Sequence, residues 1–332
     1  GVATVNLWEY PAYRRSKGIK GTAFDAFLTY VIPDEAERTV FLNWLAWCLK
    51  HEDQKPRWAV MLYSQKQGTG KTVLTELVKD LFGGANTSRI NGVRQLVARF
   101  NKEVLQHKLV IVEEIEVKKG SKEANQVKSL ITEDSTTVEA KGLPSSVENI
   151  NCAFLMTTNH LPTWLEEADR RFFILNFDHE GYNNGGKDYE KFVGLVKNLK
   201  EQISTPAGLK GIYDGLMARD LSEHNPMSLD VVKHSTSLMR ELQVLTPDVV
   251  KEQLREILAA NNIVFFTSKQ AQQLMDLFAK REANSTTHLF TGLGYKKNRF
   301  AWGGDKSQKA CWYLPSAAPE RGEVLVGGIR AP

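Results

Sequence analysis

The sequence predicts an α/β fold, a doubly wound core with a helical lead-in before it and a smaller winged-helix-like domain after it. Three observations carry this. An apolar run, a glycine-punctuated loop and helix-forming residues follow one another from Val60 to Leu74. Apolar runs separated by helical segments continue to about residue 180. Further on, amphipathic segments end in two strand-like runs around Gly303-Gly304-Asp305, a good hairpin turn.

In chain order, residues 1–20 are mixed and partly basic (Arg14, Arg15, Lys17, Lys20) and read as an arm or lead-in strand. Phe24, Phe27, Leu28 and Val31, then Val40, Phe41, Trp44, Leu45, Trp47 and Cys48, recur at helical spacing around Pro33-Asp34. Two helices are expected there, with the tryptophans in the core. Thr72 to Phe82 predicts a helix stopped by Gly83-Gly84, and Arg94 to Phe100 another. Lys108 to Ile115 reads as a buried strand and Asn125 to Thr132 as a helix. Thr136 to Lys141 and Val147 to Ile150 form a hairpin around Gly142-Leu143-Pro144, and Ala153 to Thr158 and Phe172 to Phe177 are further strands. Helices run to about Leu221, before a polar break at His224-Asn225-Pro226. The expected domains are a lead-in over 1–54, a core over 55–180, a helical connector over 181–228, a winged-helix-like unit over 229–315 and a flexible tail over 316–332.

Composition narrows the function classes. The 332 residues carry a formal net charge of +4, which permits nucleic-acid binding without arguing for it. Any contact to DNA must come from local basic clusters. Cys48, Cys152 and Cys311 lack paired zinc spacing and are odd in number, so reduced thiols in a cytoplasm are expected. No apolar run approaches membrane-spanning length, and no signal-peptide pattern opens the chain. The chain starts at Gly1 rather than Met, as a fragment of something longer would.

The chemistry centres on Ser64-Gln65-Lys66-Gln67-Gly68-Thr69-Gly70-Lys71-Thr72. In a P-loop the backbone N–H groups of Gly68, Thr69 and Gly70 turn inward as an anion nest, and the next helix adds its positive end. Lys71 is placed to reach β- and γ-phosphates, and Thr72 to offer its hydroxyl to Mg²⁺. Gln65 stands where the usual pattern has glycine. Glu113-Glu114 closes a buried strand, where the first acid would hold the Mg²⁺ shell and the second would polarise water. Asn159 follows the next strand and can orient water and γ-phosphate without adding charge. In Asp169-Arg170-Arg171-Phe172 either arginine is a candidate finger for a neighbouring subunit's γ-phosphate, or a surface partner of Asp169 or Glu166.

P-loop, acidic pair, basic hairpin, strand-end Asn and Arg-Arg-Phe in this order resemble the superfamily 3 (AAA+-like) helicases, and more narrowly those of phages and plasmids attached to primase or primase–polymerase domains. The resemblance covers about residues 20–180 well. It implies an ATP·Mg²⁺-dependent hexameric ring that draws single-stranded DNA through its channel, usually 3′ to 5′. By that likeness Lys71 and Thr72 match the first motif, Glu113 and Glu114 the second, Asn159 the sensor and Arg171 the finger, with Arg170 competing. Lys141, at the turn of the hairpin, would grip DNA phosphate in the channel, blind to sequence. Lys296, Lys297 and Arg299, with Lys306 and Lys309 and the interleaved Phe300, Trp302 and Trp312, suit a fork or duplex contact on the terminal hairpin. The rival expectation is an initiator or loader that uses nucleotide as a switch and unwinds nothing.

Overall fold

The structure, a computed structural model, describes residues 7–98, 102–138, 146–165, 169–244, 247–276, 289–302 and 307–318. By internal packing the chain divides into two units, Gly1–Arg240 and Glu241–Pro332.

The first unit opens with a 3-10 turn at Ala12–Arg15, not a strand. Arg14 is drawn inward, donating to the Glu52 carboxylate at 2.8 Å and to the Leu81 carbonyl at 3.1 Å. Helices α1 (Ala23–Val31) and α2 (Glu35–Lys50) follow, divided as expected at Pro33-Asp34. The Asp34 carboxylate caps α2 by accepting from the Glu37 N–H at 3.0 Å. Trp44 is fully enclosed, donating its indole N–H to the Trp58 carbonyl at 3.3 Å, and Trp47 is buried beside it in sequence. Both are core residues.

Next come β1 (Ala59–Tyr63), α3 (Lys71–Phe82), β2 (Thr87–Asn91), the short helices α4 (Val93–Leu96) and α5 (Lys102–Leu105), and β3 (Leu109–Glu113). Helix α6 (Lys122–Thr132) leads into a hairpin of β4 (Ser135–Val138) and β5 (Ser146–Asn149), then β6 (Ala153–Thr158) and β7 (Phe172–Asn176). The five long-range strands form one parallel sheet in the order β2-β3-β6-β1-β7. Strands β1, β3 and β6 are buried almost throughout, so they read as unbroken apolar runs, as parallel strands covered on both faces must. Strand β2 has one buried residue, Ile90, which is why no apolar run announces it. The helix expected over 94–100 is the single turn α4, ended at Leu96.

Register decides the function of this sheet. Asn91 lies beside Glu113, and Tyr63 lies beside both Thr158 and Asn176. The carboxyl ends of all five strands thus form one edge, and the starts, with Ala59 beside Phe172, form the other.

Helices α7 (Tyr189–Ile203) and α8 (Pro206–Met217) complete most of the first unit. Helix α9 (Ser237–Val244) runs across the division. The boundary lies further along than position 229 because Leu229, Val231, Leu238 and Met239 are buried and the Thr236 hydroxyl donates to the Ile174 carbonyl of β7 at 2.6 Å. The second unit holds α10 (Pro247–Ala260), β8 (Phe265–Thr267), α11 (Ser268–Asp276), β9 (Lys296–Trp302) and β10 (Ser307–Tyr313). Its sheet is antiparallel in the order β8-β10-β9, around a core that includes Leu254, Leu258, Phe266, Phe290 and Trp312. Among the described residues no helix is long and apolar enough to cross a membrane.

Candidate functional site

The loop from β1 to α3 stands at the carboxyl edge of the sheet. Gly68 and Gly70 have φ of 78° and 94°, values open to glycine, and a Cβ on Gly70 would lie 3.1 Å from the Phe27 ring and 3.2 Å from the Phe192 ring. Ser64, wholly buried, ties the loop's two ends together: its hydroxyl donates to the Lys66 carbonyl at 2.6 Å and accepts from the Thr69 hydroxyl at 3.0 Å and from the Lys71 ammonium. Gln65 fits in place of glycine, since Glu114 and Asn262 are the only non-glycine residues with positive φ among those described. Its N–H and that of Lys66 donate to the two Asp178 carboxylate oxygens, each at 3.1 Å. The His179 Nδ1 accepts from the Gly181 N–H at 3.1 Å, so Nε2 carries the hydrogen and donates to the Thr69 carbonyl at 3.0 Å. Burial holds that imidazole below its usual pKa, and the ring stays neutral beneath the loop.

Around this cradle the expected chemical groups converge. Lys71 donates to the Asn159 side-chain oxygen at 2.7 Å, and burial lowers its pKa against the opposing pull of Asp178 and Glu114. Glu113 ends β3 and is half-buried, while Glu114 is exposed with φ of 51°, an uncommon conformation for a side-chain-bearing residue. That turn is pinned from both sides. Gly92 N–H donates to the Glu113 carbonyl at 2.7 Å, Glu114 N–H to the Thr157 hydroxyl at 3.3 Å, and Ile115 N–H to the Thr157 carbonyl at 2.8 Å. Thr72 is exposed at the first turn of α3. Gly68, Thr69, Gly70, Lys71, Thr72, Glu113, Glu114 and Asn159 all line one cleft of about 610 Å³, within the usual size of a small-molecule site.

Two features of that cleft carry no sequence motif. The Arg89 guanidinium on β2 donates to Glu113 Oε1 at 2.7 Å and also pairs with Glu76 on α3, so it holds one oxygen of a carboxylate that lines the cleft. Beside the loop, Tyr182, Tyr189, Phe192, Val193 and Val196 add a largely apolar part of the lining. Tyr189, Val193 and Val196 follow helical spacing on α7, a signal that reads as ordinary core packing from sequence alone. A glycine-punctuated loop, a half-buried ammonium, two carboxylates, an amide and an apolar wall together suit a nucleoside triphosphate with a hydrated divalent cation. Among the described residues no cluster of three or more His, Cys, Asp or Glu side chains could hold a metal. Mg²⁺ needs none, since it binds through one or two carboxylates plus substrate phosphates.

The remaining candidates lie elsewhere. Arg171 immediately precedes β7, so it stands at the start edge, about 15 Å from the carboxyl edge where Lys71 lies. Its Nε donates to Asp169 at 2.8 Å, the ion pair weighed from sequence; Glu166 lies outside the described residues. Arg170 is exposed at the same edge. Lys141 and its turn also lie outside the described residues. In the second unit Lys296, Lys297, Arg299 and Lys309 are exposed. Trp312 belongs to the core at 1% exposure, with the Lys297 ammonium 5.3 Å from its ring centre, and Phe300 packs on Phe265 and Tyr313. Trp312 is therefore removed from the set of aromatics available to bases. Lys306 and the Trp302 side chain lie outside the described residues.

Comparison with known proteins places these features in context. Residues 62–171 match a family described as "Family of unknown function (DUF5906)". A "DNA Primase-polymerase" of Nitratiruptor phage NrS-1 is 23% identical over 217 residues, covering 63% of this chain and 30% of its own length. The chain thus spans under a third of that relative. An apo structure of the NrS-1 C-terminal region (A form) superposes with a TM-score of 0.55 and 16% identity, covering 93% of this chain and 80% of its own. A second apo structure of that region gives 0.50 and 18%, covering 91% and 78%. In sequence, then, the chain is similar to a phage DNA primase-polymerase, and in fold to the NrS-1 C-terminal region.

Proposed function

We propose that this chain is the ATP-hydrolysing helicase part of a phage or mobile-element replication protein. It acts as a homo-oligomeric ring, a hexamer by resemblance, on single-stranded DNA in the host cytoplasm, with a primase or polymerase domain upstream. The observation that carries the reading is the parallel register, which sets Lys71, Glu113, Glu114 and Asn159 on one edge and Arg171 on the other. An arginine some 15 Å from its own nucleotide cleft can complete only a neighbour's. Similarity to a phage DNA primase-polymerase supports the replication role.

In this reading the loop N–H groups and Lys71 bind the triphosphate, and the wall on α7 takes the base. Thr72 and Glu113 would hold Mg²⁺, which supplies charge neutralisation on the β- and γ-oxygens. Glu114 orients and activates the attacking water, and Asn159, whose side-chain oxygen accepts from Lys71, senses the γ-phosphate. Arg171 of the adjoining protomer stabilises the developing charge, a contribution of about 10³–10⁵ in rate where it operates. The β4–β5 hairpin, with Lys141 between its strands, and the cations of β9 face DNA.

The test is ATP turnover and strand displacement by wild type and Lys71→Ala. Wild type is expected to release phosphate and separate a forked duplex, and K71A to do neither while keeping its unfolding midpoint. Full turnover in K71A contradicts the site assignment. Turnover on DNA without strand separation moves the protein to the loader class.

A further inference from the structure

Asp169 stands three residues before β7 with its side chain only 3% exposed. Its Oδ1 accepts from the Arg171 backbone N–H at 3.1 Å and from the Arg171 Nε at 2.8 Å. Among the described residues its Oδ2 accepts no hydrogen bond and is met by the charge of the Lys128 ammonium at 3.4 Å, and that lysine, on α6, is itself 6% exposed. A carboxylate this deeply buried persists only between well-placed cations, and removing one of them leaves an uncompensated charge. An exposed partner would suffice merely to neutralise Arg171. Burial against α6 fixes two elements to each other.

Those two elements have different duties. Helix α6 begins downstream of Glu114 and ends at the hairpin, and its last turn is gripped from the approach to β1. The Lys55 ammonium donates to the Leu130 carbonyl at 2.7 Å and also to that of Glu133, and Arg57 pairs with Asp134 at 2.6 Å. Arg171 is tied to the same stretch, its carbonyl accepting from the Ala59 N–H at 2.8 Å. Hairpin base, α6 and Arg171 therefore form one connected set at the start edge of the sheet.

The geometry points to Asp169 as a positioning residue that couples the aim of Arg171 to the placement of α6 and the β4–β5 hairpin. It makes the finger's contribution to a neighbour's site depend on DNA at the hairpin. This rests on the proposed function above, in which Arg171 is the finger and the hairpin meets DNA. Coupling of this kind needs contiguous packed groups with two arrangements, and a double-mutant cycle measures it.

The experiment measures ATP turnover with and without single-stranded DNA for the full chain in wild type, Asp169→Asn, Lys128→Met, Lys128→Arg and the D169N/K128M pair. Binding of a fluorescent ATP analogue and the unfolding midpoint are followed alongside. K128M is expected to keep its DNA-free turnover and lose about tenfold in DNA stimulation, and K128R to restore it. D169N is expected to bind the analogue as wild type does and lose turnover, with the double variant no worse than D169N. Should D169N not fold, the K128M and K128R comparison decides. DNA stimulation in K128M equal to a normally stimulated wild type overturns the inference alone. A wild type that never hydrolyses ATP overturns the proposed function and the inference with it.

Discussion

At the scale of single residues, the site is a set of side chains whose partners sit on other strands. Glu113, Glu114 and Asn159 were legible because they stand at or just past the end of a strand, and Lys71 because it opens the helix after the glycine loop that leaves β1; a parallel sheet aligns those strand ends. Arg89 was not legible, since Thr87-Ser88-Arg89-Ile90-Asn91 becomes a strand only by pairing with β3, and that pairing brings the guanidinium to Glu113. If Arg89 steadies the carboxylate that meets Mg²⁺, Arg89→Ala should raise the Mg²⁺ concentration for half-maximal turnover by about tenfold. A metal titration unchanged from wild type would remove Arg89 from this role. Lys55 carries a second prediction, on stability. Burial lowers its pKa to about 8, so between about pH 8 and pH 9 the unfolded chain holds a proton that the folded chain has partly shed. Its contribution therefore rises with pH there, by about 1 kcal/mol per unit at most. Cys48 and Cys152, pushed up to about 12 by burial, act in the opposite sense above the ordinary thiol range. Denaturant titrations of wild type and Lys55→Met across pH 7–9 should show a slope in the first that is flattened in the second.

At the scale of elements, apolar runs gave β1, β3, β6 and β7 within a residue or two because those strands are enclosed on both faces. The turn at Ala12–Arg15, β2 and the segment after Gly92 escaped for one reason: their side chains are mostly exposed or answer to distant partners, as Arg14 does to Glu52. Helix α7 is the element whose role the sequence hid. Its Phe192 side is buried against Phe27 and Tyr30, whereas Val193 is 41% exposed and lines the candidate cleft beside Tyr189. An exposed valine on a cleft wall suits a base that covers it. Val193→Asp should weaken ATP binding by about tenfold, 1.4 kcal/mol, while leaving inorganic tripolyphosphate binding as it was. Equal losses for both ligands, measured by calorimetry, would mean that α7 supports the loop and not the base.

At the scale of the whole molecule, the architecture separates two half-sites. The carboxyl edge of the sheet carries Lys71, Glu113, Glu114 and Asn159, and the start edge carries Arg171, Asp169 and the root of the hairpin; under the proposed function, one protomer then cannot close its own site. The order of motifs along the chain made the core legible as a unit. The extent of the second unit was less so, because residues 229–240 spend their apolar side chains and Thr236 on the first. The most direct measurement mixes two inactive chains, Lys71→Ala and Arg171→Ala, and follows phosphate release as their ratio is varied. Turnover well above the sum of the separate chains is expected, greatest near equal proportions, because an R171A protomer's intact Lys71 then faces a K71A protomer's intact Arg171. Turnover that never exceeds that sum, or an Arg171→Ala chain that hydrolyses ATP unaided at the wild-type rate, would contradict it.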